Sequence, residues 1–250
     1  MNSRERVLLA INRQEPDRVP LDYSGEPEVS EALQAHFGLH SHEELLRYLH
    51  VDLRQVGLHF RDAYRPLHTD DLLDIWGTRR TPRTQHSGYI WYHPLAHLET
   101  QKDLDDYPWP DPAALDYEAY PFELDAVGDY ARVGGGGNRI LWTGIEMGLD
   151  ILDPIQVQAV GMAPAELKRD FGDRLAFHGA IDVQYTLPFG TREEVHAEVL
   201  ERMQTLGKGG GFILNNSHSL LPEFPLENII TMYETAYSAG QYPQRGTLVR

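Results

Sequence analysis

Short apolar runs, each closed by polar residues and separated by amphipathic stretches, recur along this chain and limit its folds more than any other feature. RVPLDYSG (18–25), VDLRQVGLHF (51–60), RILWTG (139–144), LDILDPIQ (149–156), LAFHGAIDV (175–183) and GFILNNSHS (211–219) read as six strands. Runs of that length bounded by turn residues suit buried strands, and their alternation with helices points to a parallel α/β sheet.

The intervening helices carry their own signals. The first is expected after Ser3 as N-cap, with Val7, Leu8 and Ile11 on one face and a stop before Pro16. A second runs over 28–37, and Ser41 and Glu44 stand at capping-box spacing ahead of Leu45, Leu46 and Leu49. Residues 163–171 stop at Gly172, and 192–206 open on the Thr191/Glu194 pair. The last helix, 226–239, should bury Ile229, Ile230, Tyr233, Ala236 and Tyr237 before Gly240. Ile75, Trp76 and YIWYHPL (89–95) have hairpin character and read as an excursion, whereas 100–120, dense in Pro and Asp, reads as an ordered surface linker. A chain of 250 residues without internal repeats is expected to form one domain, 1–250.

Composition removes several chemistries. A formal charge of −16 argues against nucleic acid or an anionic membrane as the main partner, since both require clustered Lys and Arg. The absence of cysteine excludes disulfides, thiolate metal sites and cysteine nucleophiles. No run approaches the roughly 18 apolar residues of a membrane span, and a cytoplasmic location is the expectation. Gly134–Gly137 and the KGGG run at Lys208–Gly211 lack the Gly-Lys-Ser/Thr ending of a phosphate loop. His93 and His97 have the spacing of helical metal ligands, but Pro94 lies between them, so no metal and no cofactor are assigned.

Several blocks together resemble the uroporphyrinogen decarboxylase superfamily, which also contains corrinoid-dependent methyltransferases. They are RERVLLAINRQEPDRVP, YPWPDP, GLDILDPIQVQAVGMAPAELKRDFGDRLAFHGAIDVQYTLPFGT, LGKGGGFILNNSHSLLPEFPLENI and the terminal MYETA helix. The resemblance implies a TIM-like (β/α)8 barrel, often dimeric, with its cleft at the carboxyl ends of the strands. About six of eight strand-helix units are present. Two central units, including a strand ending in a His-x-Cys-Gly type segment, are missing near 144–146, where the chain looks spliced. The resemblance implies carboxy-lyase chemistry on a tetrapyrrole carboxylate in porphyrin biosynthesis, and a homodimer is one way to cover the strands left exposed. Methyl transfer, or a truncated barrel without catalysis, are the alternatives. The zinc site of the methyltransferase branch needs a cysteine that this chain lacks.

Candidate site residues lie where strands end. His218 matches the family's late-strand histidine, and either contacts a substrate carboxylate and shuttles a proton or simply pins the following loop. Asp182, followed by Gln184, either orients an N–H donor or caps the next turn through an Asx bond. Asp153 and Gln156 close the LDILDPIQ run, although Asp-Pro also starts turns. Asp22 and Tyr23 end the first strand, Asn215 the last, and Arg54 and Arg61 offer local positive charge. The arginine pair that clamps substrate in true decarboxylases is absent from LDYSGEPE, and Asp62 is the nearest match to their central aspartate.

Overall fold

The computed structural model describes residues 1–57, 59–61, 64–66 (backbone only), 71–82, 89–134 and 150–242. Its elements in chain order begin with α1 (Ser3–Ile11), α2 (Pro27–Phe37), α3 (His42–Tyr48) and β1 (Leu53–Val56). There follow β2 (Tyr64–Pro66), β3 (Leu72–Asp74), β4 (Arg79–Pro82), β5 (Tyr89–Tyr92), α4 (Gln101–Asp105), α5 (Tyr120–Ala126) and β6 (Ala131–Gly134). The last part holds β7 (Ile151–Ile155), α6 (Pro164–Phe171), β8 (Ala176–Ile181), α7 (Thr186–Phe189), α8 (Arg192–Thr205), β9 (Phe212–Asn216) and α9 (Leu226–Ala239). The chain separates into two compact units, one of residues 1–55 with 127–250 and one of residues 56–126.

The first unit is a mixed α/β structure with a parallel sheet ordered β7-β8-β9. The segment 18–25 extends it. Leu21 bridges Leu214 in parallel fashion, with Leu214 N–H donating to Pro20 O (3.0 Å) and Asp22 N–H to Leu214 O (3.0 Å). On its other side Asp52 N–H donates to Leu21 O (2.8 Å), and Ala131 N–H donates to Asp52 O (3.0 Å), where β1 pairs with β6. Six extended segments therefore lie side by side: β7, β8, β9, 18–25, β1 and β6. Among the described residues β6 and β7 are the two edges of this array. Residues 135–150 connect them, whereas a single βαβ unit takes roughly 30 residues.

Outward side chains of the segments, Val19, Leu21, Phe177, Phe212 and Leu214, pack beneath Leu33, Leu45, Val199, Met203, Ile229 and Met232 of the helices in one core. Inward side chains form a second, smaller cluster in which Leu53, Ala131 and Ile213 meet Val7 of α1. Beside that cluster, Asp52 is fully buried and accepts from Ser3 Oγ (2.8 Å), Arg6 Nη1 (2.6 Å), Arg18 Nη1 (2.7 Å) and Leu21 N–H (3.0 Å). This charged knot ties α1 and the 18–25 segment to the start of β1.

Several local expectations need correction. The N-cap of α1 is Asn2, whose side chain accepts from Glu5 N–H while Glu5 returns a bond to Asn2 N–H; Ser3 instead reaches Asp52, and Leu8 is exposed. On α9 the buried set is Asn228, Ile229, Thr231, Met232, Tyr233, Thr235 and Ala236; Ile230 is half-buried, and Tyr237 is exposed while its ring stacks on His50. The strand next to β1 is β6, four residues that no apolar run marks in the sequence. The 139–144 run lies outside the described residues.

The second unit contains a four-stranded antiparallel meander, β2-β3-β4-β5, in place of a simple hairpin. Arg79 and Arg80 sit directly opposite Tyr92 and Trp91, and each guanidinium stacks on its partner ring. The Pro/Asp-rich stretch is more than a linker. Thr100 and Asp103 form a complete capping box for α4, and Asp111 caps a short 3-10 turn at Pro112–Ala114.

Candidate functional site

Side chains on an extended segment alternate between faces, and this alternation sorts the candidates. Along 19–23, Val19, Leu21 and Tyr23 join the core beneath the helices, so Asp22 faces the opposite, inner side. In β9, Phe212 and Leu214 face the helices, while Ile213 and Asn215 face inward. In β8, Phe177 faces out and His178 in; β7 departs from strict alternation, because its register shifts between Leu152 and Ile155, so Ile155 faces out although Asp153, two residues earlier, reaches His178. The four inward polar residues meet.

His178, 5% exposed, lies between two carboxylates. Its Nε2 is 2.9 Å from Asp22 Oδ2, and its Nδ1 makes a short bond to Asp153 Oδ1. Asn215 Nδ2 donates to Asp22 Oδ2 (3.4 Å) and to Ser24 Oγ (3.3 Å). Burial alone would strip the imidazole of its proton, but the two carboxylates overcome that penalty and raise the His178 pKa to about 9. The ring therefore carries a proton on each nitrogen at neutral pH and donates to both aspartates. Immediately after His178, while β8 is still paired with β9, the backbone takes positive φ at Gly179 (101°) and Ala180 (76°), the latter a conformation that costs an ordinary residue about 1–3 kcal/mol. Arg202 Nε donates to Ala180 O (3.0 Å) beside it.

The remaining candidates occupy varied settings. Asp182 is buried at the end of β8, where Oδ1 accepts from Gln184 N–H (2.8 Å) and Oδ2 from Gln158 Nε2 (2.7 Å); the first is the Asx bond anticipated for it. Gln184 is exposed, and Gln156 Oε1 is a buried acceptor with no partner among the described residues. His218 is exposed and its Nδ1 accepts from Ser219 N–H (2.8 Å), which pins the next turn. Tyr23 points into the helix layer and shares a hydrogen bond with Ser30 Oγ (2.8 Å). Arg54 also faces the helices: it pairs with Glu43 (2.7 Å), donates to Val51 O and Leu53 O, and lies over the Tyr130 ring. Asp62 lies outside the described residues. Among the described residues no three His, Asp or Glu side chains converge as metal ligands, and no helix is long and apolar enough to cross a membrane.

His178 was not among the residues singled out from the sequence. A lone histidine in an apolar run carries no motif, and the register shift in β7 that brings Asp153 to it is not written in the apolar pattern.

A parallel α/β sheet whose inner face changes from an apolar cluster to a charged layer of Asp22, Asp153, His178 and Asn215 defines a class of proteins with strand-end sites. Residues 141–239, which supply β7, β8 and β9, match the uroporphyrinogen decarboxylase (URO-D) family. Among curated proteins, the uroporphyrinogen decarboxylases of Rickettsia conorii (strain ATCC VR-613 / Malish 7) and Rickettsia rickettsii (strain Sheila Smith) are each 34% identical over 87 residues, 34% of this chain and 24% of theirs. That of Rickettsia massiliae (strain Mtu5) is 33% identical over the same length. The match thus spans about a quarter of the length of these relatives. Over this segment the chain is similar to the uroporphyrinogen decarboxylase family.

Proposed function

We propose that this chain is an incomplete TIM-like barrel, with about six of eight strand-helix units, acting as a carboxy-lyase on a tetrapyrrole-like carboxylate. The observation that carries this reading is the protonated His178 held between Asp22 and Asp153, three of whose four layer members (Asp153, His178, Asn215) come from the family-matching segment. Loss of CO2 leaves an electron pair on carbon that takes up a proton, so a strand-end group able to hold and release one is the minimum equipment. His218, exposed at the strand ends, is that group, and the carboxylates of the layer, held by His178, suit the N–H donors of a pyrrole. His218 also serves as the exchange point with solvent, and Gln156 and Asn215 orient the substrate. Asp182, with both oxygens engaged, shapes the β8 turn.

The test is incubation of the purified chain with uroporphyrinogen under reducing conditions, with products resolved by number of carboxylates. Stepwise loss of carboxylates is expected, and Asp22→Asn should slow it by roughly 10²-fold or more. No product at any protein concentration rejects the lyase reading and leaves a binding scaffold without catalysis.

A further inference from the structure

We propose that His178 is a positioning residue that acts through Asp22 and Asp153, fixing two carboxylates from separate segments in one orientation so that Asp22 Oδ1 faces the ligand. The inference rests on the site assigned above, but its observations are separate. Each ring nitrogen is committed to a different carboxylate, one on the 18–25 segment and one on β7, so the imidazole has no N–H left for substrate. It therefore cannot be the group that delivers the proton. What it does is bridge two segments lying three positions apart in the sheet, across β8 and β9. On Asp22, Oδ2 takes both His178 and Asn215, and Oδ1 takes no hydrogen bond among the described residues.

Among the described residues the charges facing the ring are Asp22 from one side and Asp153 from the other; Asn215 on β9 is neutral. Without the intervening cation these two carboxylates would repel each other. His178 thus keeps both aimed.

The experiment is 15N imidazole NMR of histidine-labelled protein over pH 5 to 10, in the wild type, Asp22→Asn and His178→Gln, with coproporphyrin affinity measured on the same samples. The signal lost in His178→Gln identifies the ring. It should keep both N–H protons through pH 8 and release one near pH 9. In Asp22→Asn that midpoint should fall by a unit or more, a tenfold change in acid dissociation. Coproporphyrin affinity should fall at least tenfold in His178→Gln, and in the wild type over the pH range in which the ring deprotonates. A ring that titrates near the ordinary 6.5, or is insensitive to Asp22→Asn, overturns the proposal, and the wild-type spectrum decides this even if His178→Gln does not fold. If coproporphyrin binds but does so independently of pH and of His178, the positioning role is likewise overturned. A normal imidazolium signal with no coproporphyrin binding sinks the tetrapyrrole reading and leaves the clamp established.

Discussion

At the scale of single residues, alternation decides which polar side chain reaches the inner face. Asp22 and Asn215 face inward, while their neighbours Tyr23 and Leu214 are spent on the helix layer. Arg54 belongs with the latter, so Arg54→Ala should lower stability by about 1.5–3 kcal/mol through its lost charged hydrogen bonds and leave coproporphyrin affinity unchanged, measurable by urea titration and fluorescence quenching. His178 has the opposite signature. Because its folded pKa of about 9 exceeds the ordinary 6.5, its contribution is complete below about pH 6.5 and is lost as pH rises through 9. Lys168, whose burial lowers its pKa to about 8, works the other way between pH 8 and 10.5. Unfolding free energy should therefore fall between pH 6.5 and 8, by at most about 1.4 kcal/mol per unit, and His178→Gln should flatten that slope. Candidates at strand ends were legible as residue types, but their directions were not: nothing in LDYSG or LAFHGAIDV says which phase faces the helices until the segments are laid side by side.

At the scale of elements, strands β7, β8 and β9 and helices α6, α8 and α9 fall where apolar runs and capping pairs place them, because each is a local signal reinforced by its own turn residues. Segment 18–25 is pinned instead by tertiary bonds and by the buried Asp52 knot. Asp52→Ala should cost about 3–5 kcal/mol, as it strands Arg6 and Arg18 without their shared carboxylate. The glycine run before β9 makes a sharper comparison. Gly209 and Gly210 both have positive φ, 77° and 82°, yet a Cβ on Gly210 would collide with the Gln14 backbone, whereas Gly209 faces open space. Gly209→Ala should cost about 1–2 kcal/mol, and Gly210→Ala clearly more; equal costs in chemical denaturation would contradict the packing described. Strand β6 was missed because four residues beside a glycine run carry too little hydrophobic pattern to stand out.

For the whole molecule, six side-by-side segments and the short 135–150 connection bear on one question, whether the inner charged layer forms a working site. Parallel α/β architecture was readable from the strand-helix alternation, whereas the separate meander unit was not, since 56–126 shows only a weak hairpin signal. Calorimetric unfolding of the wild type and Asp22→Asn, each with and without saturating coproporphyrin, tests the account most directly. A single cooperative transition should move up in the wild type, by the equivalent of about 2.7 kcal/mol at a hundredfold excess over Kd, and stay put in Asp22→Asn. A transition that ignores the ligand in both proteins would mean that the layer of Asp22, Asp153 and His178 holds the sheet together and binds no tetrapyrrole.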